Sequence, residues 1–458
     1  MQGEVGEDLL SLRLSIGSAC HFELTKKRKR MDEPNDKNLM VLLQARDRMT
    51  RLGCNRPAMA DDKGLQPVRL LLLCADAVDR NDVSSATDFL RQLYRNVSLC
   101  GNPIQRMTAY FTDGLLARFL TKNSSFYSSI MADPSPEEEF SAFASLYLAS
   151  PYYQFAHFTA NQAIFEAFEE DEHWNGGCLH VIDFDVSYGL QWPSLIQSLS
   201  DKATNQKPIN LLITGFGGSV EELRDTEKRL SSFASGCRNI SFEFQGRLRG
   251  EKRPEIQVKK NATVAVNLVF YLHTLKNSSN ICSTLMQINT LNPSVVTLVE
   301  KEGSRGNHNG FLSRFTESLH YFAAMFDSLD DCLPARNIER LRIEKNHLGR
   351  EIKHAVVVKD EEEKGCRYER LETWKAVMER YRFEGVRMSS RSVSQAKLIL
   401  KIKSHCSAMD DHGTATGFRI FERDEGMAIS LGWQDTHLIT ATAWRRSSEY
   451  QSKSFNLY

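Results

Sequence analysis

The chain has 458 residues, enough for one large domain or two and for a sizeable core. Lys plus Arg and Asp plus Glu both total 58, which excludes a global positive field of the kind that drives nonspecific nucleic-acid binding. The 10 cysteines run from Cys20 to Cys406 without a C-x-x-C pair, as reduced thiols do, and the apolar runs fall far short of the ~18 residues of a membrane span. The N-terminal apolar residues are interrupted by Ser, Arg and acids, unlike a secretory signal. A soluble intracellular protein with no membrane partner is expected.

Residues 1–64 have weak periodicity and many charges and read as a flexible head that ends in the turn-prone stretch Asn55 to Gly64. Within it Lys26, Lys27, Arg28, Lys29 and Arg30 form a basic pentad that suits the acidic grooves of nuclear import receptors; a solvated basic patch is the alternative. Leu10, Leu12 and Leu14 alternate with other residues, so an extended backbone presents all three on one side, as a corepressor-binding strip would. This LSLRL run resembles the leucine-alternating repression motif of plant regulators. Leu39, Leu42 and Leu43 form an L-x-x-L-L helix face of the coactivator-binding kind.

From Leu65 the pattern is helical. Val68, Leu71, Leu72, Ala75 and Val78 share one face, as do Ile104, Met107, Phe111, Leu115 and Phe119, and Phe155, Phe158, Phe165 and Phe168 continue the style. So many amphipathic helices before the first strand predict a cap, mainly residues 65–175, that packs on itself or on another molecule. A core follows, mainly 176–458. Residues 179–183 form a strand ending in Asp183, with Asp185 beyond it, a turn holding Gly189, and a helix whose Trp192, Leu195, Ile196 and Leu199 face one way. Strands are predicted at Asn210 to Thr214, Ile240 to Phe244, Thr263 to Val266, Val295 to Val299 and Ala355 to Val358. A capping box, Ser219 with Glu222, opens the helix carrying Leu223, Leu230 and Phe233, and Phe315, Leu319, Phe322, Phe326 and Leu329 mark another helix. At the end, Phe418 to Glu422 and Met427 to Leu431 read as a hairpin about Asp424, with a further strand at Leu438 to Trp444. The expected fold is α/β: a Rossmann-like, methyltransferase-type core, mainly parallel with antiparallel C-terminal strands, plus an N-terminal α-helical cap.

That layout raises the question of a nucleoside cofactor. The first turn offers only Gly189, and the second strand ends in Thr214, Gly215, Phe216, Gly217 and Gly218 without the acid that binds ribose hydroxyls. Glycines there usually serve backbone geometry. By position Asp183 and Asp185 are the best catalytic candidates, yet carboxylates at a strand end also bond backbone amides and helix dipoles, and the structural role is preferred. No metal-ligand spacing or nucleophile motif occurs, and His157, His180, His273, His308 and His437 stand alone. Arg305 to Gly310 reads as a turn, or as part of a polar pocket shared with Asp183. The acidic runs Glu137 to Glu139, Glu169 to Glu172 and Asp360 to Glu363 read as solvated loops. Arg336, Arg340, Arg342, Lys345 and Arg350 could contact DNA phosphates, or pair with Glu339, Glu344 and Glu351 at helical spacing, which is preferred. No catalytic, cofactor or metal residue is assigned.

Several of these blocks together resemble the plant GRAS family of DELLA and SCARECROW-like regulators. His180, Val181, Ile182 and Asp183 stand at the family's signature, with Leu179 where valine is usual, and Gly189, Leu190, Gln191, Trp192 and Pro193 follow in place. The run LLLLCADAV matches a first leucine-rich region, Glu221 to Ala234 a second, and Val295 to Glu302 with Asn307 to Gly310 the next block. Leu348 to Ile352 matches the arginine-glutamate block, and Trp433 and Trp444 the closing tryptophan motif. The head lacks the DELLA sequence, which favours a SCARECROW-like or symbiosis-type subgroup. The resemblance spans 65–458 and implies a nuclear transcriptional regulator of plant development or signalling without established catalysis. Its implied partners are other transcription factors, GRAS proteins included, as homo- or heterodimers, with a corepressor and DNA as further partners. The competing expectation is an enzyme or sensor that holds an S-adenosylmethionine-like ligand at Asp183, Gly215 and Gly217.

Overall fold

A computed structural model describes residues 36–51, 65–250, 256–275, 277–303, 310–334, 337–358, 368–402 and 417–447. All of them lie within the unit Pro34–Tyr458. Among the described residues seven helices precede the first strand: α1 (Asp36–Arg51), α2 (Leu65–Asp79), α3 (Val83–Asn96), α4 (Pro103–Phe119), α5 (Ser125–Ile130), α6 (Pro136–Ala149) and α7 (Pro151–Glu170). Their starts are written in the sequence. Asn102, Ser135 and Ser150 each accept a bond from an amide of the first turn through the side chain, and the proline that follows needs no amide partner there. Helix α4 is enclosed by its neighbours, with Phe111 edge-on to Phe315 at 5.2 Å and to Phe322 at 6.1 Å.

Helix α1 departs from the sequence reading, which places residues 1–64 in a flexible head. Leu42 is fully buried and Arg46 holds the Asp113 carboxylate of α4 through Nε and Nη2 at 2.9–3.0 Å. The leucine face Leu39, Leu42 and Leu43 therefore seats its central residue inside this chain rather than offering it to a coactivator. The import pentad and the Leu10, Leu12 and Leu14 strip lie outside the described residues.

The core carries β1 (Cys178–Asp183), α8 (Trp192–Lys202), β2 (Ile209–Gly217), α9 (Val220–Ser235), β3 (Ile240–Leu248), β4 (Thr263–Val269), α10 (Ser278–Thr290), β5 (Val295–Lys301) and α11 (Phe311–Cys332). Then come α12 (Ile338–Ile343), a π-turn at Glu344–Leu348, α13 (Gly349–Val357), α14 (Leu371–Arg380), β6 (Phe383–Val386), α15 (Ser390–Ile402), β7 (Phe418–Arg423), β8 (Ala428–Trp433) and β9 (Thr436–Arg446). The strands form one sheet in the order β3-β2-β1-β4-β5-β9-β8-β7. The first five are parallel, while β9 is antiparallel to β5 and to β8, and β6 pairs with its far end from Phe383 opposite Arg446 to Val386 opposite Ala443. Strands β4 and β5 are buried throughout, as expected where helices cover both faces of a parallel sheet.

One predicted strand is helical. Ala355 to Val357 belong to α13, because Ile352 and Val356 are an i, i+4 pair on the buried face begun by Leu348, and that face meets α4. Arg118 of α4 donates to Val356 O at 2.9 Å. Helices α12 and α13, late in the chain, thus pack with the early cap.

Candidate functional site

Parallel register sets the site. At the carboxyl edge of the sheet Asp183 lies opposite Gly215 on one side and Asn267 on the other. The chain then turns sharply, with Ser187 at φ 46° and Gly189 at φ 69°, and enters α8 at Trp192. A β-carbon on Gly189 would lie 2.7 Å from Thr226 Cγ2, so the residue is glycine for both conformation and space. Asp185 accepts from the Ser187 amide at 3.2 Å and from Arg249 Nη1 at 2.6 Å.

Asp183 is the centre of a buried polar network. Its Oδ2 accepts from the Trp192 indole at 3.1 Å and its Oδ1 from Asn267 Nδ2 at 3.0 Å. Asn267 and Gln191 exchange amide bonds, both 3.1 Å, and Thr297 of β5 donates to Asn267 Oδ1 at 2.9 Å. Gln191 also donates to Asn161 Oδ1 at 3.1 Å, and Asn161 returns bonds to Gln191 O at 2.9 Å and Ser194 Oγ at 2.8 Å. One carboxylate thereby joins β1, β4, β5 and the start of α8 to cap helix α7. Burial pushes Asp183 up to about 7; the Asn267 and Trp192 bonds pull the other way, and the Asp185 charge adds to the rise.

The space beside this network is filled by the chain itself. Phe184 stacks on Phe216 at 5.4 Å and meets Tyr271 at 5.3 Å. A β-carbon on Gly215 would come within 3.0 Å of Phe244 and 3.1 Å of Val186, and one on Gly217 within 2.8 Å of Leu223. These glycines admit neighbouring side chains. At the start of α9, Ser219 accepts from the Glu222 amide at 3.1 Å while Glu222 Oε2 accepts from Gly218 N at 2.9 Å, so the amides that open this helix are bonded by the protein's own side chains. His180 is a packed residue. Burial lowers its pKa to about 4, and with Nδ1 accepting from Lys259 N at 3.3 Å, the neutral ring donates from Nε2 to Thr214 Oγ1 at 2.9 Å.

Farther along the edge, the end of β5 is also closed by the chain's own groups. His273 Nδ1 lies 2.7 Å from Glu300, Lys301 lies 2.7 Å from Glu351 of the arginine-glutamate block, and Arg423 and Thr440 both hold Glu302. Tyr368 donates to Glu351 and stacks on His273 at 5.2 Å. Trp433 donates to Asp327 at 2.7 Å and Trp444 to Thr442 at 2.8 Å, so both closing tryptophans are anchors of the C-terminal strands. The turn from Arg305 to Asn309, with His308, lies outside the described residues.

Other candidates are committed elsewhere. Arg340 lies 3.0 Å from Asp330, Arg342 pairs with Glu339 at 2.6 Å, and Arg350 bridges Asp133 and Glu139, both at 2.8 Å. Of the basic stretch, Arg336 is outside the described residues and Lys345 is exposed. Of the acidic runs read as solvated loops, Asp360 to Glu363 lies outside the described residues, and the other two are structural: Glu138 completes a capping box with Ser135, Glu169 and Glu172 bind Lys202, and Asp171 accepts from Thr263 at 3.0 Å and Ser294 at 2.6 Å. Among the described residues no cluster of three or more His, Cys, Asp or Glu could hold a metal, and no helix is long and apolar enough to cross a membrane. Sequence reasoning missed Asn161 and Asn267. An asparagine inside the otherwise apolar strand TVAVNLV is the signal that could have found the second.

Three comparisons match this architecture. Protein SCARECROW of Arabidopsis thaliana is 33% identical over 397 residues, covering 84% of this chain and 56% of that protein. Scarecrow-like protein 18 of the same plant is 31% identical over 420 residues, covering 82% and 91%. The chain spans about half the length of the SCARECROW proteins it matches. The crystal structure of SCL7 in Oryza sativa superposes with a TM-score of 0.70 at 29% identity, over 83% of this chain and 99% of that one, and it shares the Rossmann-like core. The family model described as GRAS domain family matches residues 67–445, from the first leucine-rich helix to the closing tryptophan motif, and so the chain belongs to the GRAS family, with SCARECROW-like relatives.

Proposed function

We propose that this chain is a nuclear regulator of transcription in plant development or signalling, acting by binding other transcription factors, GRAS proteins included as homo- or heterodimer partners. The observation that carries the reading is the use of Asp183, Asp185, Gln191 and Trp192: at the turn where a Rossmann-like fold receives its cofactor, all four bond the protein itself. The edge then serves to hold cap to core, and the activity lies on exposed surfaces. Lys26 to Arg30 supply import and Leu10, Leu12 and Leu14 a corepressor strip. Direct DNA contact has the least support, since Arg340, Arg342 and Arg350 are paired with acids.

Proximity labelling in plant nuclei tests the reading. Recovery of transcription factors, with nuclear accumulation lost when Lys26 to Arg30 become alanine, is the expected result. A strictly monomeric chain that recovers none would remove the scaffold role. Calorimetry with S-adenosylmethionine tests the competing enzyme or sensor: binding heat at millimolar ligand would overturn the noncatalytic reading.

A further inference from the structure

An open groove of about 190 Å³ runs between α1 and α3. Its apolar lining is Val41, which is exposed, with Ala45 and the buried Met49, Tyr94 and Val97 beneath. Both walls are fixed to α4, because Arg46 of α1 and the Tyr94 hydroxyl of α3 bind the same Asp113 carboxylate, the hydroxyl at 2.8 Å. The groove is therefore preformed.

Its charged lining is Arg48, Arg91 and Arg95, and among the described residues no acid joins them there. Among the described residues Arg91 pairs only with the exposed Asp88, at 2.9 Å. Neither Arg48 nor Arg95 is ion-paired among the described residues, in contrast to Arg106, Arg340, Arg350, Arg391 and Arg423. Three guanidiniums on one cleft, with no acid among the described residues lining it, call for carboxylates from outside. A nucleic-acid backbone would use the cations but leave the exposed Val41 uncovered.

We propose that this groove docks an acidic amphipathic segment of a partner protein, its carboxylates bridging Arg48, Arg91 and Arg95 and an apolar side chain seated on the exposed Val41. The inference uses neither the sheet edge nor the regulatory reading, so each can fail alone.

The test titrates the full chain with a fluorescein-labelled helical peptide bearing leucines on one face and glutamates on the other, and with its twin in which lysine replaces each glutamate. The glutamate peptide should bind, more weakly as salt rises, and the Arg48→Glu/Arg95→Glu variant should lose affinity by at least about tenfold with its circular dichroism unchanged. Arg48→Gln/Arg95→Gln, the milder change, should fall between. No binding of the glutamate peptide, equal binding of the lysine twin, or unchanged affinity in both variants overturns the proposal. Tighter binding of duplex DNA that the same variants abolish, or self-association that they abolish, also overturns it, in favour of a nucleic acid or a second copy.

Discussion

Two buried carboxylates join the cap to the core by opposite means. Asp183 is held by neutral donors, the Trp192 indole and the Asn267 amide, whose own remaining groups are satisfied by Gln191, Asn161 and Thr297. Glu344, in the π-turn between α12 and α13, is held by charge. Arg106 of α4 reaches its Oε1 at 2.9 Å and Asp330 at 2.9 Å, Arg340 lies 3.5 Å from the same Oε1, and Glu344 Oε2 has no hydrogen-bond partner. The network around Asp183 is complete and so specifies geometry, whereas the cluster at Glu344 balances charges and depends on every member being present.

Removing a charge from the second cluster should therefore cost most. Arg106→Ala, at a side chain only 1% exposed, leaves Glu344 buried beside one arginine and should destabilise the chain by about 3–5 kcal/mol in denaturant unfolding. A loss below that of Asp183→Asn would reverse the contrast between the two sites.

Asp183→Asn places an amide where Trp192 and Asn267 both donate, and should cost about 1–3 kcal/mol at pH near 5. Its pH dependence sharpens the contrast. The folded carboxyl sits at about 7, above the roughly 3.9 of an unfolded aspartate. Its contribution is full below the unfolded value and is lost as pH rises through the folded one. The substituted chain has no such loss, so the penalty should shrink between pH ~4 and ~7. A penalty that stays constant over this window would mean that Asp183 is already ionised in the fold at its lower end.

The smallest effect concerns the turn. Gly189→Ala forces a left-handed alanine, worth about 1–2 kcal/mol, against Thr226. Thr226→Ser removes the methyl in the way and should recover part of the loss. Equal stability of the single and double variants would assign the whole cost to backbone conformation.

The sequence shows most of the fold through periodicity. Strands β1 to β5, the long α11 and the β7–β8 hairpin were all legible from apolar spacing and turn chemistry. Ala355 to Val357 misled because three consecutive β-branched or small residues fit a strand as well as one face of a helix, and only α4 decides between them. The four-residue β6 was too short to leave a pattern. At the site, the place of Asp183 at the end of β1 was legible from the apolar run before it. Its partners were not, because Asn161, Gln191 and Asn267 come from three elements and meet only after the sheet assembles. Leu42 reads as part of a coactivator-binding helix face because its cover comes from helices beyond residues 52–64.

The Arg106–Glu344 contact spans 238 residues of sequence. During synthesis, α4 leaves the ribosome with its apolar faces formed long before α12 and α13 exist to close over them. An emerging chain must keep Phe111 and Leu115 out of contact with other molecules for that whole interval. C-terminal truncations before residue 338 should therefore aggregate or recruit chaperones rather than yield a free cap, and the cap and core should unfold as one cooperative unit.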